Sequence, residues 1–203
     1  MKKFVVATQN RGKIEEIKEI LKGLALEVLS MGEVGINKEI QEDGKSFEEN
    51  ALIKAREVYR VSQEIVMGDD SGLEVDYLNG APGIYSSRFA GEGATDRDRV
   101  NKLLDMMKGV PFEKRTARFV CAAAVVFPGG SFFTVRGTCE GYIALKAAGE
   151  NGFGYDPVFF LPDYNMTIAQ MEPEEKNRIS HRGKALRLML KELKKIDKEG
   201  INI

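Results

Sequence analysis

The chain has 203 residues, ample for a large domain with a real core, and its 43% hydrophobic and 30% charged content is that of a water-soluble globular protein. With 30 basic and 31 acidic residues the net charge is −1, so no overall field draws it to nucleic acid or an anionic membrane. Any anionic ligand must be held by a local site. No apolar run approaches the ~20 residues of a membrane helix. The opening MKKFVVATQNRGK has too short an apolar stretch for a signal peptide. Cys121 and Cys139 lie in apolar or strand-like runs, at a spacing that fits neither a metal knuckle nor a disulfide framework. They are expected to be buried free thiols in a reducing cytoplasm.

In chain order, residues 3–7 (KFVVA) read as a buried first strand and residues 8–12 as a turn. Lys13 opens a helix with Ile14, Ile17, Ile20, Leu21 and Leu24 on one face. A second strand covers residues 26–30, and residues 32–45 are irregular and acidic. Ser46 and Glu49 form a capping-box pattern, opening a helix that buries Phe47, Ala51, Leu52, Ala55, Val58 and Tyr59. A third strand, Ile65-Val66-Met67, ends at Gly68, and Asp69-Asp70-Ser71-Gly72 is read as the tight turn after it. Strand, helix, strand, helix, strand is a doubly wound order that favours parallel pairing. Thr95 and Asp98 repeat the capping pattern before a helix with Val100, Leu103, Leu104 and Met107 inward. Residues 117–127 and 131–140, joined by Pro128-Gly129-Gly130, predict a hairpin, which makes the sheet mixed and supplies much of a second lobe. A short strand over 158–161 and a short helix from Pro173 follow. Residues 180–184 precede a last helix with Ala185, Leu186, Leu188, Met189, Leu193 and Ile196 inward. Without a repeat or linker, residues 1–203 are expected to form a single domain of two lobes.

Five groups of residues could carry chemistry. Asp69 and Asp70 are adjacent acids that repel unless a cation or proton is shared, which suits a catalytic metal site; a polar turn capping a strand is the plainer alternative. Thr8 to Lys13 is a strand–turn–helix whose free amides, helix dipole and lysine suit phosphate, although the Walker spacing is missing and a simple turn remains open. Lys54 could be a solvated lysine, and Glu42 either a loop charge or a metal partner of Asp70. Phe153-Gly154-Tyr155-Asp156-Pro157 offers an aromatic platform for a flat base beside a rigidly held carboxylate; a core Phe and a turn-capping Asp would look the same. His181 is the only histidine. Ser180-His181-Arg182 makes a donor cluster but no hydrolase triad, since adjacent side chains turn away from each other.

Six blocks in order resemble the inosine triphosphate pyrophosphatase family: residues 7–13 (ATQNRGK), 46–51 (SFEENA) with Lys54, 69–73 (DDSGL), 80–86 (GAPGIYS), 153–157 (FGYDP) and 180–183 (SHRG). They cover nearly the whole chain, and Gln9 departs slightly from the smaller residue common there. The resemblance implies an α/β fold with an elongated mixed β-sheet flanked by helices, two lobes with a central substrate cleft, and a homodimer; the cytoplasmic location is the expectation from the thiols above. It implies hydrolysis of non-standard purine nucleoside triphosphates (ITP, dITP, XTP) to the monophosphate and pyrophosphate, dependent on Mg²⁺. By position, Asp70 would be the base and a metal ligand, with Glu42 its metal partner. The loop of Thr8, Gln9, Asn10, Arg11, Gly12 and Lys13, together with Lys54 and Ser71, would hold the triphosphate. Phe153, Gly154 and Tyr155 would carry the stacked base, and Asp156, Lys176, His181 and Arg182 would read its edge. A pyrophosphatase for modified pyrimidines and a non-catalytic nucleotide sensor are the alternative readings.

Overall fold

The computed structural model describes residues 2–22 and 26–198; Leu24, placed above on the face of the first helix, lies outside the described residues. Among these residues seven strands form one sheet in the order β2-β1-β3-β4-β5-β6-β7. β1 (Lys2–Val6) pairs in parallel with β2 (Leu26–Ser30) and with β3 (Ile65–Val75), as the alternation of strands and helices predicts. β4 (Thr116–Val126) and β5 (Phe132–Ile143) are the predicted hairpin strands, their turn closed by the Phe127 N–H donating to the Ser131 carbonyl at 2.9 Å. β6 (Phe159–Leu161) and β7 (Met166–Thr167) continue antiparallel from β5, so the sheet is mixed.

The helices begin where their caps are written. α1 (Arg11–Ile20) starts after Asn10, whose side chain accepts from the Lys13 N–H. α2 (Phe47–Ser62) starts after Ser46, whose hydroxyl accepts from the Glu49 N–H; the Glu49 carboxylate turns to the Lys45 N–H instead of closing the box. α3 (Asp96–Met106) carries the full reciprocal box of Thr95 and Asp98. α4 (Pro173–Ile179) is short, and α5 (His181–Lys198) closes the described chain.

The chain divides into two compact units. The first draws on Met1–Asp70, Cys121–Gly137 and Arg182–Ile203, and its core packs Phe4, Val6, Ile17, Met67, Leu186 and Met189. The second draws on Ser71–Val120 and Thr138–His181, and its core packs Leu73, Leu103, Phe119, Ile143, Phe159 and Met171. Cys121 and Cys139 are buried, and neither forms a disulfide.

Three expectations are corrected. β3 does not stop at Gly68 but runs through Asp69-Asp70-Ser71-Gly72 to Val75, and the chain turns at Asp76–Gly80, where Asn79 and Gly80 take positive φ. The carboxylates tolerate this because successive strand residues face opposite ways and each finds its own cations. On α2, Leu52 and Tyr59 are only half-buried, while Asn50 and Lys54 are buried on the inward face. The last helix begins at His181, so Arg182, Gly183 and Lys184 form its first turn rather than a segment ahead of it, and Leu188, expected inward, is exposed on it.

Gly68 sets how closely α2 lies on β3. A Cβ there would stand 2.2 Å from the Ala51 carbonyl oxygen and 2.8 Å from the Ala55 nitrogen, both backbone atoms that cannot yield. Gly68→Ala is expected to cost about 2–3 kcal/mol through overpacking. In calorimetry that is a fall in Tm of about 5–10 °C; an unchanged Tm would mean the helix rides higher than described.

Candidate active site

In the first unit, β3 carries two adjacent carboxylates whose surroundings differ completely. Asp69 is fully buried and takes Lys13 Nζ from α1 at 2.8 Å and the Arg182 guanidinium from the start of α5 at 3.7 Å. Arg182, itself 2% exposed, also pairs with Glu16 of α1. Burial works against the ionised form of Asp69, yet Lys13, Arg182 and Lys54 outweigh it and hold the carboxyl well below the usual carboxylate range. Asp69 is therefore a fixed anion.

Asp70 meets α2. Its Oδ2 accepts from Asn50 Nδ2 at 3.1 Å, and its Oδ1 lies 3.3 Å from Lys54 Nζ. Lys54 Nζ also reaches Glu42 Oε1 at 3.0 Å. Burial pulls the Lys54 ammonium down, but Asp70, Asp69 and Glu42 more than compensate and keep it charged. For Asp70 burial wins: it pushes the carboxyl up to about 6, Glu42 adding to the rise while Lys54 and Asn50 oppose it. One strand thus holds a permanent anion beside a carboxylate able to take a proton near neutral pH, the property required of a general base.

The Thr8–Lys13 turn lies in the same unit. Thr8 Oγ1 accepts from the Asn10 N–H and Asn10 Oδ1 from the Lys13 N–H, both at 3.2 Å, so these side chains shape the strand–helix turn. Gln9, Asn10 and Arg11 are exposed, and Gly12 and Lys13 half-buried. Ser71, the next residue of β3, is half-buried and belongs to the second unit.

The second unit holds the predicted base-reading residues other than Arg182. Asp156 Oδ2 accepts from Lys176 Nζ at 2.8 Å and from the Phe153 N–H at 2.9 Å. The Lys176 ammonium also lies 4.6 Å from the centre of the Phe153 ring. The Gly154 N–H donates to Asp96 at 2.7 Å, and the buried Tyr155 hydroxyl donates to the Ser86 carbonyl at 2.8 Å, pinning the loop on both sides. His181 is buried and stacks on Phe119 with ring centres 4.7 Å apart. Phe153, Asp156 and Lys176 are thus brought together. Arg182 is not among them: its guanidinium points to Glu16 and Asp69 in the first unit.

Asn50, Glu16 and Asp96 carry roles here that the sequence patterns above do not mark. Asn50 had a readable signal, a polar residue four before Lys54 on an otherwise apolar helix face. Glu16 and Asp96 had none, since each acts on a partner far along the chain.

The first unit thus carries acids, lysines and a capped strand–helix turn, and the second, taken by itself, an aromatic ring held beside a carboxylate and an ammonium. A profile of the Ham1 family matches residues 4–192. The dITP/XTP pyrophosphatase of Desulforamulus reducens is 47% identical over 194 residues, covering 96% of both chains. That of Clostridium perfringens is 49% identical, covering 97% of this chain and 99% of its own. A solved HAM1 protein from Coxiella burnetii superposes with a TM-score of 0.88 at 39% identity, covering 96% of this chain and all of that one. The chain belongs to the Ham1 family.

The raised pKa of Asp70 has a consequence for stability. Its folded carboxyl releases its proton near 6 rather than at the ordinary 3.8, so the native state binds the extra proton in that window. This stabilises the protein below pH ~4 and is lost as pH rises through ~6, by up to about 3 kcal/mol. In the metal-free protein Asp70→Asn is therefore expected to raise Tm at pH 7.5 and to leave it unchanged at pH 4. A Tm that falls at pH 7.5 would mean Lys54 depends on Asp70 more than burial penalises it.

Proposed function

We propose that the protein is a nucleoside triphosphate pyrophosphatase that removes ITP, dITP and XTP from the nucleotide pool by hydrolysis to the monophosphate and pyrophosphate. The observation that carries this reading is the split of Asp69 and Asp70 into a fixed anion and a proton-accepting carboxylate, in a chain matched over nearly its full length by dITP/XTP pyrophosphatases.

In the proposed reaction Asp70 orients a water and takes its proton as the oxygen attacks the α-phosphorus. The α–β phosphoanhydride bond breaks and pyrophosphate leaves with the electron pair. Thr8, Gln9, Asn10, Arg11, Gly12, Lys13, Lys54 and Ser71 are proposed to hold the triphosphate, with the α1 N-terminus and the lysines favouring its charge.

Mg²⁺ dependence is part of the reading. Glu42 Oε1 and Asp70 Oδ1 converge on Lys54 Nζ at 3.0 and 3.3 Å, so two hard oxygen donors already face one point. No group of three or more ligating side chains occurs among the described residues. Mg²⁺ takes one or two protein carboxylates and completes its shell with phosphate oxygens and water. Held by Glu42 and Asp70, it would neutralise charge developing on the phosphates.

Phe153, Gly154 and Tyr155 are proposed to carry the base, with Lys176, Asp156 and His181 around its edge. Lys176, held between Asp156 and the Phe153 ring, is a fixed donor for a 6-keto oxygen. A 6-amino purine would present N–H groups to it, and leaving such a buried donor unpaired costs about 1–3 kcal/mol. Arg182 is proposed instead as the counter-charge of Asp69, given its pairing with Asp69 and Glu16. A homodimer completes the proposal on the family resemblance, and a cytoplasmic location on the buried thiols of Cys121 and Cys139.

The test is product analysis with ITP, XTP and ATP, with Mg²⁺ and with chelator. Pyrophosphate and monophosphate from ITP and XTP, little from ATP, and a fall of about 10²–10⁴-fold for Asp70→Asn are expected. Orthophosphate as the direct product would place the cleavage at another bond. For Lys176→Met, kcat/KM for ITP should fall about 10–100-fold with ATP nearly unchanged, as one lost charged hydrogen bond dictates; an equal loss for both would remove Lys176 from discrimination.

A further inference from the structure

We propose that Asn50 is a positioning residue for the reaction, fixing the Asp70 carboxylate and the Glu42 loop against each other through a single side-chain amide. The inference rests on the reading of Asp70 as the base.

Asn50 is completely buried on the inward face of α2. Its Nδ2 donates to Asp70 Oδ2 at 3.1 Å, and its Oδ1 accepts from the Gly44 N–H at 2.9 Å. A carboxylate needs a donor and a backbone N–H needs an acceptor, so the partners fix which way the amide points. A carboxylate at position 50 would offer acceptors only, a lysine or arginine donors only, and a hydroxyl a shorter arm. The Gly44 backbone lies directly on this amide: a Cβ there would stand 2.6 Å from Asn50 Oδ1.

One helical turn later Lys54 emerges on the same face and bonds Asp70 Oδ1 and Glu42 Oε1. The contacts close into a ring: Asp70 to Asn50, Asn50 to Gly44, two residues along the loop to Glu42, Glu42 to Lys54, and Lys54 back to Asp70. Each Asp70 oxygen has its own partner, so the carboxylate is fixed in rotation as well as in place. Lys54 alone would hold one oxygen and leave the other to swing. Asn50 touches no reacting atom in this account; it acts through Asp70.

Two variants separate the arms. Asn50→Asp keeps an acceptor for Gly44 but faces Asp70 with a second carboxylate, whereas Asn50→Ala removes both bonds. The measurements are kcat and KM for ITP at saturating Mg²⁺, and amide hydrogen exchange at Gly44, with Asn50 variants made in both the wild-type and the Asp70→Asn background. Asn50→Asp should lose about 100-fold in kcat with KM within about 3-fold, a loss on the scale of one misplaced catalytic group, while Gly44 stays protected. Asn50→Ala should show a comparable kcat loss with faster exchange at Gly44. On Asp70→Asn, neither change should lower kcat by more than about 2–3-fold, because groups acting as one unit are not additive.

A folded Asn50→Asp with kcat within 3-fold of wild type would overturn the inference. So would an Asn50→Ala loss that persists in full on Asp70→Asn, the result expected if Asn50 merely supports the fold. Should Asn50→Asp fail to fold, Asn50→Ala carries the same test. A wild-type protein inert toward ITP and XTP would sink the functional reading and this inference with it; an active wild type matched by Asn50→Asp sinks the inference alone.

Discussion

Two carboxylates next to each other in one buried strand would be untenable if they shared an environment. Burial removes the water that would screen them, and their mutual repulsion would force a proton onto one or break the strand. The strand geometry resolves this by pointing Asp69 and Asp70 to opposite faces, each against different helices. Lys13 and Arg182 answer Asp69, while Asn50 and Lys54 answer Asp70. Much of the local architecture serves this separation. α1 and α5 bring cations to one carboxylate, and Gly68 lets α2 lie close enough to bring an amide and an ammonium to the other.

The same separation creates chemical difference from identical residue types. Asp69 has two full positive charges close by and stays ionised. Asp70 shares its one lysine with Glu42 and takes its other bond from a neutral amide, so burial prevails and its proton affinity rises toward neutrality. Pairs of titratable groups pushed apart in this way mark acid–base assignments in active sites generally. Placing a neutral donor rather than a second cation beside Asp70 is what keeps it basic.

In the second unit the same economy recurs on a smaller scale. Asp156 binds the Phe153 backbone and the Lys176 ammonium with one oxygen, so a single buried carboxylate fixes both the aromatic ring and the cation lying over it. Asp96 reaches this loop from the first turn of α3 and holds the next amide. A glycine-containing loop is thereby held at three successive residues, through the Phe153 and Gly154 amides and the Tyr155 hydroxyl.

The order of elements, the helix starts at Ser46 and Thr95, the parallel first strands and the hairpin at Pro128-Gly129-Gly130 are legible in the amino-acid sequence. All of these rest on local periodicity, capping and turn chemistry. It also showed Asp69 and Asp70, Lys54 and the Phe153–Pro157 loop as residues of interest. It misread Ser71-Gly72 as a turn, because local propensity disfavours an extended run through two acids and a glycine, and the compensating cations lie outside any local window. That Asp69 and Asp70 differ, that Asn50 and Lys54 are buried, and that Arg182 pairs with Asp69 emerge from long-range packing. The contacts responsible join residues 20 apart for Asn50 with Asp70 and 166 apart for Arg182 with Glu16. Charge balance in a buried site is settled by whichever side chains the folded chain brings within a few ångströms, and sequence spacing does not encode that distance.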